Sequence, residues 1–311
     1  MANIVLRQAD SVSVTVVTDN YTDLFLLEGR GIMHRPGMLG ELAPIAEHGL
    51  SLLIEARCGG QAHTFLLDAS LSALGLLHNL KVLNVDAGRI EGVILSHGHL
   101  DHIGGLMVFL RENPGLRELV AHPDAFLPRR FNIPGSGPRP PLPVLDAGAL
   151  TEVGVVVRQS EDAATWFSDL VLSLGRIERV TDFERGFPWA EIQKGGQWMV
   201  DPFDDDQAVV LRVADGLIVI SGCAHAGIVN TVRYAQKVTG IDKVHAVMGG
   251  FHLTGPLFEP IIAATVAELK AIDPDAAVPM HCTGWKAINT FAREMGDRFF
   301  LNTVGTRYVF G

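Results

Sequence analysis

The sequence predicts an α/β chain in which two mixed sheets pack together with helices outside. Three observations carry this reading. Strand-like and helix-like runs alternate, two of the strand pairs read as hairpins, and each hairpin opens a stretch of similar texture. In the first stretch, residues 11–17 (Ser-Val-Ser-Val-Thr-Val-Val) alternate with period two, as a half-buried strand does. Residues 51–56 and 63–68 form two further strands around Cys58-Gly59-Gly60, a hairpin signal. Residues 71–83 are helix-like, residues 93–95 form a buried strand, and residues 103–110 have the apolar density of a helix packed on a sheet, stopped near Asn113-Pro114-Gly115. In the second stretch, residues 208–213 and 217–221 surround Ala214-Asp215-Gly216, another hairpin. Ile228, Val232 and Ala235 share one helical face, residues 244–248 form a strand, and a helix runs from about Phe258 to Ile272, before Asp273-Pro274. Residues 277–280 are a last short strand.

Composition bounds the function. The 311 residues, 48% hydrophobic and 19% charged, are enough to bury a large core. A formal net charge of −10 with no long basic run argues against a nucleic-acid surface, because neutralising phosphates needs clustered Lys and Arg. The N-terminus lacks the charged-then-apolar layout of a signal peptide, and no apolar run approaches the ~20 residues of a membrane span. Cys58, Cys223 and Cys282 have no zinc-ribbon or disulfide-framework spacing. The expectation is a cytoplasmic enzyme with a small-molecule substrate and neither nucleic acid nor membrane as partner. The middle, about residues 123–206, is rich in proline from Pro128 to Pro143 and then in aromatics, among them Trp166, Phe187, Trp189 and Phe203. That composition predicts a lid or substrate-binding insert in an otherwise single domain spanning residues 1–311.

The strongest chemical signal is Ser96-His97-Gly98-His99-Leu100-Asp101-His102-Ile103-Gly104-Gly105, directly after the apolar run at 92–95. Four ligand-type side chains within six positions bring two ligand pairs to one spot: His97 and His99 for one ion, Asp101 and His102 for a second. Imidazole and carboxylate suit zinc, one or two ions, with manganese or iron as alternatives.

Three more histidines share one placement. His225 follows the strand at 217–221, His252 the strand at 244–248, and His281 the strand at 277–280, each beside small residues. Those are the ends where α/β enzymes gather ligands, so all three are candidate metal ligands. Asp68 closes its strand on the same edge, as a candidate catalytic residue that accepts a hydrogen bond from a ligating imidazole. His122 and His48 are candidate substrate-pocket residues; His34, His63, His78 and His245 read as structural or surface. Cys223 and Cys282 neighbour proposed ligands and could themselves bind metal, but at such positions the packed thiol is the expected role.

The complete His-x-His-x-Asp-His signature resembles that of the metallo-β-lactamase fold superfamily. Phe65-Leu66-Leu67-Asp68 resembles its first motif, and His281 its final metal-binding histidine. The resemblance implies an αββα sandwich with a one- or two-metal site along the sheet edge. Residues 47–55, 222–230 (Gly-Cys-Ala-His-Ala-Gly-Ile-Val-Asn), 249–253 and 281–284 are similar to the dihydropterin synthase-like branch. Many superfamily hydrolases carry a metal-bridging Asp after the strand that here ends Ser221-Gly222-Cys223; this chain has Cys223 at that place and His225 two residues on, so either His225 takes over as a ligand or the site holds only one metal tightly. The superfamily's usual third-motif histidine has no clear match either, and one of Asp204, Asp205 and Asp206, which stand near that point, could substitute.

A metal held by neutral imidazoles keeps its charge and activates water. The leading expectation is therefore a metal-dependent hydrolase of an ester, lactone or phosphoester, with Asp101 as ligand or orienter of the nucleophile. The alternative, implied by the branch resemblance, is a transferase condensing a dihydropterin pyrophosphate with an aryl amine ribofuranosyl phosphate. An iron redox or sensor protein ranks last.

Overall fold

Alternation and hairpin turns translate directly into paired sheets. The computed structural model describes residues 3–37, 43–116 and 118–311. In the first sheet, Ser11–Thr18 pairs antiparallel with Ser51–Cys58, which turns back into Gln61–Leu67. From there the sheet becomes parallel, through Gly92–Ile94 and Glu118–Ala121 to Val156–Gln159. The second sheet repeats the plan: Ala208–Val213 and Gly216–Ser221 form an antiparallel hairpin, and Val244–Gly250 and Ala276–Met280 follow in parallel.

Three layers of apolar contact make this a four-layer αββα sandwich. Val12, Val14, Leu52, Ile54, Phe65 and Leu67 of the first sheet meet Val209, Leu211, Ile218, Ile220, Met248 and Val278 of the second. The alternate residues of the same strands face outward. Leu66, Val93 and Leu119 pack under the helices Ala73–Val82 and Leu106–Glu112 through Leu76, Leu80 and Phe109. Val210, Val219 and Val247 pack under Ile228–Thr239, Ile262–Ile272 and Trp285–Met295 through Val232, Val266 and Phe291. Strands buried on both faces read as continuous apolar runs rather than clean alternation, as residues 92–95 and 217–220 do.

Three features depart from the sequence expectations. The helix expected over 103–110 is divided into Leu100–Ile103 and Leu106–Glu112. At the junction the backbone runs against the preceding loop: a Cβ on Gly104 would lie 1.9 Å from the Leu71 carbonyl oxygen, and one on Gly105 2.5 Å from that of Ala69. The segment 123–206 does not stand apart as one insert. Val156–Gln159 extends the first sheet, while Ala164–Trp166 and Val171–Ser173 extend the second. Only Arg129–Ile133, Gly137–Pro138, Ala190–Lys194 and Gln197–Val200 form a separate small sheet, and its two halves are distant in sequence. Finally, the Trp285–Met295 helix and the Arg307–Phe310 strand, which pairs with Ser11–Thr18, have no counterpart among the expected elements. No helix among the described residues is long and apolar enough to cross a membrane.

Candidate metal centre

The parallel strands of both sheets end at one edge, and the ligand-type side chains gather there. Gly92–Ile94 runs into the loop that carries His97 and His99 and then into the Leu100–Ile103 turn with Asp101 and His102. From the other sheet, Gly216–Ser221 leads to Cys223 and His225, Val244–Gly250 to His252, and Ala276–Met280 to His281.

Two ligand groups result. His97, His99 and His225 each present a nitrogen, all within 4.8 Å of one another, and form an imidazole trio. Asp101, His102, Cys223 and His281 form a mixed group on the same criterion, and Cys223 falls in a third set with His225 and His252. Ring centroids of 4.2 Å between His97 and His102 place the two groups side by side. In the mixed group His102 Nε2 lies 3.1 Å from Cys223 Sγ, and His281 Nε2 3.4 Å from Asp101 Oδ2.

These residues fit divalent metal. Buried imidazole nitrogens almost always have a partner, yet His97 Nε2, both nitrogens of His225, both of His281 and Nδ1 of His252 have none. Each of these rings, neutral, carries one nitrogen lone pair, and leaving it buried without a partner costs desolvation unless a cation completes the cluster. Protonation follows the same division. Burial, with His102 next in effect, pushes His97 well down, and burial, with His252 next, does the same to His225. Burial and then the Arg129 cation lower His99 to about 3. His102 goes the other way: burial disfavours its charge, but the Asp68 and Asp101 carboxylates outweigh that and hold it at about 9. For Asp101, burial is overcome by His102 and His281, and its carboxyl stays well below the usual range.

A buried layer of polar groups aims these ligands. Asp68 Oδ2 accepts from His102 Nδ1 at 2.6 Å and from Ser96 Oγ at 2.7 Å, while Oδ1 accepts from the Ser96 amide. A carboxylate on the far nitrogen of an imidazole fixes both its tautomer and its direction. Asp19 accepts from the His281 amide and from Asn302, bracing a residue held at φ 52°. His252 (φ 42°), Ala224 (φ 54°) and Asp68 (φ 63°) are in the same left-handed region, so backbone strain concentrates at this edge. Asp205 accepts from the Gly98 amide and pairs with buried Arg129, and Asp206 accepts from the Ala226 amide. Glu184 caps the Ile228–Thr239 helix through the Val229 and Asn230 amides.

Several expectations are thereby redirected. None of Asp204, Asp205 and Asp206 joins a ligand group: Asp204 pairs with Lys194, and the other two hold the ligand loops by their amides. His225, expected among the candidate ligands, is the third member of the imidazole trio. Cys223, expected as a packed thiol, has its sulfur among the ligand atoms. His122 caps the Pro123–Phe126 turn, with Nδ1 accepting from the Asp124 amide at 3.1 Å. His48 is largely exposed at the mouth, stacked on His281 with its Nε2 3.6 Å from Asp101 Oδ2. Sequence reasoning missed Asp19, Arg129 and Glu184. Asp19, an acid directly after an apolar strand, had the same local signal as Asp68; Arg129 and Glu184 lie in segments without periodicity.

A cleft of about 470 Å³ opens beside His225 and His252, walled by Phe183, Phe251, Leu257 and Phe258 with Arg185 among its polar lining. Phe187 and Phe258 pack on His252, and Phe203 stacks on His225 at 4.3 Å.

Comparison with known proteins agrees with this geometry. Residues 46–234 match the family model described as the metallo-beta-lactamase superfamily. The chain belongs to the metallo-beta-lactamase superfamily. It is 33% identical over 258 residues to the 7,8-dihydropterin-6-methyl-4-(beta-D-ribofuranosyl)-aminobenzene-5'-phosphate synthase of Methanocaldococcus jannaschii, covering 82% of this chain and 87% of that one. An uncharacterized protein of the same organism, MJ0448, is 31% identical over 255 residues, 80% of this chain and 88% of the relative. Among solved structures, Tm1679, a metal-dependent hydrolase of the beta-lactamase superfamily, superposes with a TM-score of 0.72 at 23% identity, over 95% of this chain and 98% of that one. The fold and the enzyme superfamily are thus common ground for the hydrolase and synthase readings.

Proposed function

We propose that this superfamily member is a metal-dependent transferase acting on a planar, phosphorylated small molecule, of the kind the archaeal relative's name describes. The observation that carries this is the aromatic cleft beside His225 and His252, a slot suited to a flat heterocycle such as a dihydropterin. The similarity to the archaeal synthase moves this reading ahead of simple hydrolysis. His97, His99 and His225 are the proposed ligands of one divalent ion, and Asp101, His102 and His281 those of a second, with zinc as the expected metal. When bound, such a pair supplies charge that stabilises a departing diphosphate.

The chain's own residues do the rest. Phe251 and Phe258 hold the ring, and Arg185 offers its guanidinium to an anionic group. An aromatic amine forms the new C–N bond at the methylene carbon while the C–O bond breaks and its electron pair leaves with diphosphate. His48, at the open mouth with its Nε2 3.6 Å from Asp101 Oδ2, is the proposed acceptor of the amine proton. The small sheet around Arg129–Ile133 and Ala190–Lys194, through neighbouring Phe187, serves as a partial lid of a single-domain enzyme. Three free cysteines accord with a reducing, cytoplasmic setting.

Hydrolysis of a phosphoester or lactone is the second reading, favoured by the imidazole trio, whose neutral ligands leave an ion its full charge for activating water. One experiment separates the two. Metal-loaded protein is given a dihydropterin methyl diphosphate with and without a ribofuranosyl-aminobenzene phosphate, and diphosphate release is followed. Release that requires the amine is the expected result. Release without it makes water the acceptor and the protein a hydrolase; no release in either case removes the pterin reading.

A further inference from the structure

Two cavities touch the candidate metal centre, each through different histidines. The aromatic cleft reaches it through His225 and His252, and a second cavity of about 230 Å³ reaches it through His281. Among the described residues the two share no lining side chain. The second is walled by Tyr21, Met280, Trp285 and Ile288, with Asn20 beside His281. Its two aromatic members are not core residues: Trp285 is 74% exposed and Tyr21 40%. Their backbone is nonetheless pinned. The Tyr21 carbonyl accepts from the Val304 amide, Asn20 Nδ2 donates to the His281 carbonyl at 2.9 Å, and Trp285 opens the helix Trp285–Met295. Gly284, at φ 79°, sets that opening, and a Cβ there would lie 2.6 Å from Thr254 Cβ. A single exposed apolar side chain is ordinary on a protein surface. Two aromatics on a pinned backbone, lining one concavity against a candidate metal ligand, make a surface for a flat ring.

We propose that this second cavity is the acceptor subsite, where the ring of the aromatic amine stacks on Trp285 and Tyr21 while the flat heterocycle occupies the larger cleft. Size divides the two substrates between the cavities. An apolar cavity of roughly 150 Å³ holds one benzene. The cavity of about 230 Å³ therefore suits a single substituted ring, and the cleft of about 470 Å³ a bicyclic one. Position divides them the same way. His48, the proposed acceptor of the amine proton, stacks on His281 with ring centroids 5.0 Å apart. The Glu47 amide just before it donates to the carbonyl of Asp19, itself part of the cavity wall. The proton acceptor thus stands on the His281 side of the centre, where the amine would enter. Trp285 and Tyr21 are binding residues: they hold the ring and take no part in proton transfer. This rests on the transferase reading given under the proposed function, and it adds where the second substrate binds and which side chains select it.

The test is calorimetric titration of a ribofuranosyl-aminobenzene phosphate into metal-loaded wild type, Trp285→Ala and Phe258→Ala, paired with steady-state kinetics of diphosphate release. Trp285→Ala is expected to weaken amine binding and raise the amine KM about tenfold, the usual worth of stacking a flat ring on an aromatic side chain. The KM for the pterin diphosphate, and kcat at saturating amine, should stay as in wild type. Phe258→Ala should give the mirror image, a raised pterin KM with unchanged amine affinity. Trp285→Phe, which keeps a stacking face, should recover most of the lost affinity. Amine binding that is absent from wild type, indifferent to Trp285→Ala, or weakened equally by Phe258→Ala overturns the proposal. The binding arm needs no turnover, so the two readings fail separately. Amine binding that depends on Trp285 without diphosphate release keeps the subsite and removes the transferase. Transfer at an unchanged amine KM in Trp285→Ala keeps the transferase and removes the subsite. Should Trp285→Ala not fold, fluorescence decides: the amine must quench tryptophan emission more in wild type than in Trp285→Phe, and equal quenching overturns the proposal.

Discussion

The two halves of the molecule build the same motif, a hairpin followed by parallel strands, yet they supply candidate ligands in opposite ways. The first half places His97, His99, Asp101 and His102 in one loop and one helical turn after a single strand. The second half places Cys223 and His225, His252 and His281 after three separate strands. In the first half, ligand geometry is a matter of local backbone, backed by Asp68 on His102 and Asp205 on Gly98. In the second, it depends on the relative placement of three strands and on carboxylates from elsewhere: Asp19 on the His281 amide, Asp206 on Ala226 and Glu184 on the following helix. A contiguous cluster needs one correct loop; a dispersed one needs the sandwich to close.

The largest effect that sharpens this comparison is loss of a whole ligand group. His97→Ala combined with His99→Ala leaves the trio with one imidazole, so elemental analysis should fall from two equivalents to one at most while circular dichroism stays native. Two retained equivalents would break the assignment. Next comes the link between the small sheet and the first-half loop. Arg129 is buried between Asp201 and Asp205, so Arg129→Met leaves two uncompensated carboxylates. Denaturant unfolding should show a loss of about 3–5 kcal/mol, the usual cost of breaking a buried pair from one side. A change within 1 kcal/mol would mean that the loop around Gly98 stands without this support.

Smaller effects belong to the residues that aim the ligands. Asp68→Asn keeps the size but not the charge opposite His102, and chelator competition should show a drop in affinity at the mixed group of roughly 10–100-fold. Unchanged affinity would reduce Asp68 to a strand-end anchor. The pH response contrasts the two groups most directly. Metal-free His102 titrates at about 9 and is therefore charged at pH 7, so binding at the mixed group must displace its proton. Burial also raises the Cys223 thiol, which adds a second proton if it binds as thiolate. Affinity at the mixed group should rise at least tenfold per pH unit up to about 9. The trio, with His97, His99 and His225 all lowered, is already neutral and should be flat across the same range. Calorimetry in buffers of different ionisation enthalpy counts the protons released; equal numbers for both equivalents would erase the distinction.

What was legible in the chain follows from range. The cluster at 97–102 and the strand before it are short-range features, because four ligand types on one turn after a buried strand leave little choice of geometry. The strand-end positions of His225, His252 and His281 were readable as well, since each follows an apolar run and sits among small residues. Less could be read where proline and polar residues interrupt periodicity. The segment 123–206 read as one insert, proline-rich and then aromatic, but its strands join three different sheets.

By itself, then, the sequence determined the layered α/β plan, the histidine-rich first-half loop and which strand ends carry histidine, because periodicity and spacing act over a few residues. Tertiary structure alone decided that Cys223 faces the ligands while Cys282 faces a carbonyl, and that Asp205 and Asp206 hold amides rather than ligate. It also decided that Asp19 braces a histidine 262 positions away. A thiol or carboxylate can pack, brace or bind, and its role depends on what the fold brings within about 3 Å of it.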